Sequence, residues 1–514
     1  MSGHYDHDLE KKGHEPHVVT EDGAVPGESF EYGNGLYARM QRLAGKYGVE
    51  QRGIERVPEN ERTDTSLANV GTMWLSANMV VSSFALGLLA QKLFFLGFVD
   101  AILTCMFFNL IGILPVCYFS SFGPRFGLRQ MVLSRFWFGW WGVKLIAVFN
   151  VLACIGWSAV NSIVGAQLIH AVNNDVPGAA GIVIIAVCTF LICLFGYRVV
   201  HAYEFYSWIP TFIIFLIVLG CFAHTGDFIN IPMGVGKSEM GSVLSFGSVI
   251  YGFATGWTSY AADYTVYQPA TASRRKIFLS TWLGLIFPLL FTEFLGIAIM
   301  TATTANDGNN RYMDGYKASG TGGLLAAVLF KGVGHGFGRF CLVLLALSII
   351  ANNIPNIYSV ALTMQIMGRW TQRVPRFVWT FIGTCAYIAI AIPGYNSFED
   401  VLQNFMDMIG YWLAIYEGIS LTEHFVFRRG FGGYVAAHYD DARMLPPGIA
   451  AVAAFCFGVA GMVTGMSQVW FVGPIALHAG LAPFGGDVGF ELAFAFAATS
   501  YFVLRKIELK RFGR

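Results

Sequence analysis

The chain has 514 residues, and only 13% are charged, against roughly 25% in a soluble globular protein. With 55% hydrophobic residues and a mean hydropathy of +0.55, ionic groups could not cover a soluble surface of this size. A soluble enzyme, a nucleic-acid binder and a secreted disulfide scaffold are excluded, and because 33 Lys and Arg offset 32 Asp and Glu, only the placement of charge is informative.

Residues 1–65 are polar and lack the charged start and short apolar core of a cleavable signal, so the first hydrophobic span is expected to act as its own insertion signal. His4, His7, His14 and His17 lie in this stretch, which reads as a disordered polar tail rather than a metal site. A helix needs about 20 predominantly apolar residues to cross a bilayer. That ruler predicts twelve spans, near 70–90, 95–119, 143–171, 178–197, 203–223, 242–262, 277–302, 339–365, 377–393, 400–424, 448–470 and 488–505. The tenth contains Glu399, Asp400, Asp407, Glu417 and Glu423, yet no breaker interrupts it. Between the seventh and eighth spans, 303–338 reads as a long Gly- and Asn-rich external connection, either a gate or a plain solvent loop. Its apolar piece Leu324–Phe330 is too short to cross and is expected to lie as an interfacial or capping helix. All nine cysteines sit in apolar segments, where Cys behaves as a small hydrophobe.

Lys and Arg set the orientation. With a cytoplasmic N-terminus, the loops after even-numbered spans and the C-terminal tail carry eighteen, including Arg125, Arg129, Arg274, Arg275, Arg428 and Arg429, against six in the opposite loops. The expectation is N-in and C-in, with a transporter domain over 66–505 between tails at 1–65 and 506–514.

Four spans carry polar groups that would be costly against lipid. The first reads Met73-Trp-Leu-Ser-Ala-Asn-Met-Val-Val-Ser-Ser, with Ser76, Asn78, Ser82 and Ser83 near its middle. The third places Trp157 and Asn161 four apart, on one helical face. In the sixth, Gly252 and Gly256 bracket a potential break before Trp257, and the eighth holds Asn352, Asn353, Pro355 and Asn356 in mid-span. Serines in spans commonly mediate helix packing and Trp commonly anchors at an interface, but these indoles fall in the middle third of their spans. Two indoles and several carboxamides suit a flat, polar, uncharged ring: the faces stack, and an amide offers both a donor and an acceptor. An amino acid or phosphate would call for a buried Arg, and none lies in the middle of these four spans.

At these residues the chain resembles the purine–cytosine permease branch, fungal type, of the nucleobase–cation symporter family. The resemblance runs from Gly53-Ile-Glu-Arg-Val through Met73-Trp-Leu-Ser-Ala-Asn and Ala262-Asp-Tyr-Thr-Val-Tyr-Gln-Pro to Asn352-Asn-Ile-Pro-Asn-Ile-Tyr-Ser. It implies an all-α integral membrane fold of the LeuT type, two inverted five-helix repeats plus two C-terminal helices, with spans 1 and 6 discontinuous. It also implies that Trp157 and Trp257 sandwich the base. Asn161 and the Asn352, Asn353 and Asn356 cluster then match the polar positions, and Ser83 and Glu204 fit positions implicated in the fungal branch. Sodium-coupled relatives hold the ion with hydroxyls on span 8, mostly missing here, which favours a coupling proton.

The expected function is uptake of cytosine and purines by proton symport across the plasma membrane, without cofactor or metal, with nucleobase, proton and lipid bilayer as partners and no nucleic acid. Another flat heterocycle, such as uracil, allantoin or a pyridoxine-like vitamin, stays open, as does sodium coupling. No repeated pore ring suggests a channel and no convergent nucleophile–base set suggests an enzyme. Coupling or gating roles are expected among Glu204, Asp263, Glu293 and Pro355. Asp263 is placed near the Arg274-Arg275-Lys276 cluster, and Glu293 has no polar neighbour expected except Thr292.

Overall fold

The computed structural model describes residues 53–195 and 197–514, without the side chains of 195–204. The four tail histidines and the Glu204 side chain therefore lie outside the described residues.

Helices occupy all twelve expected stretches, because in an apolar medium a chain must satisfy its own backbone polar groups. They are α1 (Leu67–Asn78) and α2 (Val81–Lys92), which share the first stretch, then α3 (Phe98–Ser120), α4 (Arg135–Val172), α5 (Gly178–Phe195), α6 (Tyr197–Thr225) and α7 (Gly236–Thr255). After a 3-10 segment at Thr258–Tyr264 come α8 (Arg274–Thr301), α9 (Arg311–Val333), α10 (His335–Ile366), α11 (Arg376–Gly394), α12 (Phe398–Thr422), α13 (Ile449–Gly465) and α14 (Gly489–Phe512). Among the described residues six helical stretches are long and apolar enough to cross a membrane, or seven if α1 and α2, bent by 49°, make one span. Among the described residues the strands form one two-stranded hairpin, Ser467–Gln468 with Phe471–Val472.

α4 runs through the middle, against α5, α9, α10 and α11, while α8 packs on α1, α2 and α3, and α13 pairs with α14. Large apolar side chains such as Phe107, Ile111, Leu191 and Phe381 face outward, as a lipid-facing surface requires. α12 is unbroken from Phe398 to Thr422 despite its carboxylates, as expected, and buries Asp407 and Glu417.

Two expectations about polar stretches change. The connection at 303–338 is neither a gate loop nor a solvent loop, since most of it forms α9. Asn310 caps that helix, its side-chain oxygen accepting from Tyr312 and Met313 N–H at 3.0 Å each. Its glycines serve close approach. A Cβ on Gly322 would lie 2.3 Å from the Gln167 carbonyl of α4, and Gly320, at a φ of +52°, turns the chain where Ser319 Oγ donates to that carbonyl at 2.8 Å. Residues 53–65, expected as the end of a solvated tail, are packed. Val57 N–H donates to the Gly127 carbonyl at 2.9 Å, and buried Arg62 donates to the carbonyls of Val57 and Pro124.

Candidate functional site

The site grows from two helix interruptions. Between α1 and α2, Met79 and Val80 leave the helical path, and the Val80 backbone is extended. The freed polar groups are claimed locally: Ser83 Oγ donates to the Asn78 carbonyl at 2.8 Å, and Asn78 Nδ2 donates to the Trp74 carbonyl at 2.8 Å. Ser83 therefore fastens the break, while its neighbour Ser82 points at the amides, donating to Asn161 Oδ1 at 2.6 Å. The second interruption follows α7, where Gly256 and Trp257 join the helix to the 3-10 segment.

Trp257 links the two breaks. Its indole Nε1 donates to Asn78 Oδ1 at 3.1 Å, and its ring meets Trp74 and Tyr260 edge-on, each at 5.6 Å. With the N–H engaged, only the ring face remains to meet a ligand. Trp157 stands edge-on to Phe253 and Phe405 at 5.1 and 5.6 Å. It also lies over the second break, since a Cβ on Gly256 would sit 3.0 Å from its Cζ2. Both indoles are buried.

The carboxamides form one network. Asn161 Nδ2 donates to Asn352 Oδ1 at 2.5 Å and to Asn353 Oδ1 at 3.2 Å. Asn352 Nδ2 reaches back to the Ala77 carbonyl beside the first break, and Asn353 Nδ2 donates to Ser162 Oγ at 3.3 Å. Asn356 accepts from the Tyr260 hydroxyl at 2.8 Å and donates to the Asn352 carbonyl at 3.0 Å. α10 continues as a helix through Pro355, whose ring nitrogen has no hydrogen to offer the preceding turn. The structure thus brings Ser83, Trp157, Asn161, Trp257, Asn352, Asn353 and Asn356 into one region where α1, α4, α7 and α10 meet.

The carboxylates lie elsewhere. Glu293, expected to have no polar neighbour except Thr292, instead accepts at Oε2 from Asn109 Nδ2 at 2.6 Å and the Cys105 thiol at 2.8 Å. Both partners come from α3, a helix whose register against α8 the sequence does not disclose. Asp263 is buried against the loop before α4 rather than set by the Arg274 cluster: its Oδ1 accepts Gln130 N–H at 2.7 Å, and its carbonyl accepts from Arg129 at 3.2 Å. Glu417 on α12 had drawn no role. It accepts from the Tyr251 hydroxyl at 2.8 Å, from Thr258 at 3.2 Å and from Thr255, tying α12 to the second break. A carboxylate in a run of apolar helix was the available signal. Among the described residues no group of three His, Cys, Asp or Glu could hold a metal ion.

Interrupted helices meeting at a buried aromatic and amide cluster define a membrane permease of the LeuT type. A solved structure of Mhp1, a nucleobase-cation-symport-1 family transporter in a closed conformation with bromovinylhydantoin bound, shares the fold. It has a TM-score of 0.66 at 15% identity and covers 90% of this chain and 96% of its own. Residues 56–473 match the family model described as permease for cytosine/purines, uracil, thiamine, allantoin, and the chain belongs to that family. It is 66% identical to the purine-cytosine permease fcyB of Emericella nidulans over the whole of both chains. It is 46% identical to the purine-cytosine permease FCY2 of Saccharomyces cerevisiae, over 92% of this chain and 89% of that one.

Proposed function

We propose that the chain takes up cytosine and the purines adenine, guanine and hypoxanthine by proton symport with alternating access. Twelve helices within 66–505 cross the plasma membrane, the tails at 1–65 and 506–514 lie in the cytoplasm, and the bias of Lys and Arg supports that orientation. The observation that carries the substrate class is the uncharged aromatic and amide cluster at the two helix breaks. The base stacks between the faces of Trp157 and Trp257, with Ser83 keeping the first break in shape. Asn161 Nδ2 already spends both hydrogens on Asn352 and Asn353, so its Oδ1, which keeps one lone pair beside the Ser82 bond, accepts from an N–H of the base. Asn356 holds Tyr260 behind Trp257.

Uptake of radiolabelled cytosine in a transport-null host, with unlabelled competitors, tests this. Competition by the purines is expected, and competition by uracil, allantoin or pyridoxine alone would overturn it. Another flat heterocycle is the second reading, favoured by the breadth of the family description, which includes uracil, thiamine and allantoin.

For coupling, Glu204 is the leading carrier through the family resemblance, and buried Glu293, whose partners are neutral, is the alternative, with Asp263 and Pro355 as gating positions. The Ser348 hydroxyl on α10 is turned back to the Leu345 carbonyl at 2.6 Å, which supports a proton over sodium. A protonophore should abolish accumulation and sodium replacement should not. Glu204→Gln should keep exchange and lose concentration of cytosine, and a Glu204→Gln carrier that still concentrates it would pass the role to Glu293.

A further inference from the structure

A groove of about 940 Å³ opens at the end of the bundle where α3 and α12 finish and α8 begins. Arg125, Arg274, Arg275 and Arg429 line it, and its lining contains no Asp or Glu. All four arginines are exposed. Among the described residues none makes an ion pair. Arg274 rests on the Phe431 ring at 4.6 Å. Ser273, also in the lining, precedes the 28-residue α8 without capping it by its side chain, which leaves the first N–H groups of that helix open to an acceptor. Four unneutralised guanidinium groups beside an uncapped helix start make a place for an anionic headgroup.

A second cavity of about 510 Å³ adjoins it, sharing Tyr118 and Phe425 as lining, and lies between Leu114, Phe278, Leu421 and Phe494. Leu114 and Phe425 are about half exposed, at 47% and 56%, so this channel opens on the outer apolar surface. Glu417 and Glu491 also border it, but Glu417 is turned to Tyr251 and Thr258.

We propose that these adjacent cavities bind one anionic glycerophospholipid, its phosphate among the four arginines and an acyl chain passing the Tyr118 and Phe425 rings into the apolar channel. A free anion would have no use for the apolar extension, and a zwitterionic lipid would leave the arginines unneutralised. Under the proposed orientation the basic end faces the cytoplasmic leaflet, where anionic lipids attract basic clusters. The inference rests on that reading for the leaflet alone.

Native mass spectrometry on the purified full chain in detergent, with phosphatidylserine, phosphatidylcholine of the same chains and inorganic phosphate, is the test. It reads lipid retention without requiring transport, so it stands or falls apart from the nucleobase reading. Phosphatidylserine should bind at least about tenfold tighter than phosphatidylcholine, and the combined substitution R125Q, R274Q, R275Q and R429Q should remove that preference. Leu114→Trp, which narrows the channel, should weaken phosphatidylserine by a few fold. An excess of inorganic phosphate should fail to displace the lipid. Equal retention of the two lipids, or an unchanged preference in the arginine variant, would overturn the proposal. Full displacement by phosphate would do so too, by marking a free-anion site.

Discussion

The two helix breaks are held in opposite ways. The first, at Met79–Val80, is fastened by neutral groups: Ser83 on the Asn78 carbonyl, and Asn352 on the Ala77 carbonyl. The second, at Gly256–Trp257, is held through hydroxyls on a buried carboxylate, with Thr255, Thr258 and Tyr251 all donating to Glu417. One break is thus tied to α10 by amides and the other to α12 by an ionisable group. Neutral hydrogen bonds fix a geometry whatever the proton balance, whereas a carboxylate's acceptor strength depends on its protonation. The second break is the one whose shape a proton could change.

Removing the element that joins the breaks should have the largest effect. Trp257→Ala deletes the Asn78 bond and, in the proposed sandwich, one stacking face, and should cost about 1–3 kcal/mol, or roughly tenfold to a hundredfold in affinity for cytosine. Uptake kinetics with surface protein quantified would check it, and Trp257→Phe should recover part of the loss by restoring a ring. Normal affinity in Trp257→Ala would sink the sandwich.

The fastenings should separate next. Asn352→Ala leaves the Ala77 carbonyl and Asn161 short of a partner, which should destabilise the fold by about 1–3 kcal/mol and lower the melting temperature of the purified protein. Glu417→Gln keeps an acceptor, so its thermal stability should fall less, by about 1 kcal/mol. Its cytosine uptake should lose pH dependence more than that of Asn352→Ala. If both variants changed alike in stability and pH profile, the contrast between the breaks would fail.

Asn161→Asp should alter the ranking of competing bases rather than lower affinity for all, since a buried polar site discriminates through groups left unpaired. An unchanged ranking would make Asn161 a structural node. The smallest effect is expected at Gly256→Ala. The new methyl, 3.0 Å from Trp157 Cζ2, should push that indole by a few tenths of an ångström and reduce affinity by a few fold.

Length and apolar runs were enough to read a helical, multi-pass membrane protein, because hydropathy acts on each residue separately, while the transporter reading needed the polar groups within the spans and the family resemblance. The residue types at the site were legible for the same reason. Trp157, Trp257 and the three α10 asparagines stand out as polar or amphipathic groups where lipid or core should be. Which atoms meet was not legible. Ser82 and Ser83 are adjacent in sequence, but only the bend between α1 and α2 sends one to Asn161 and the other to Asn78. Glu293 found Asn109 and Cys105, and Glu417 found Thr258, across sequence separations of more than a hundred residues. Only the Leu324–Phe330 part of α9 was legible as a helix; its full extent was hidden because glycine lowers helix propensity, and contact with α4 gives those glycines a packing role. The sequence by itself determined what could enter the membrane and which groups would resent it, and the tertiary structure decided their partners, because partner choice depends on helix register and close approach between distant segments.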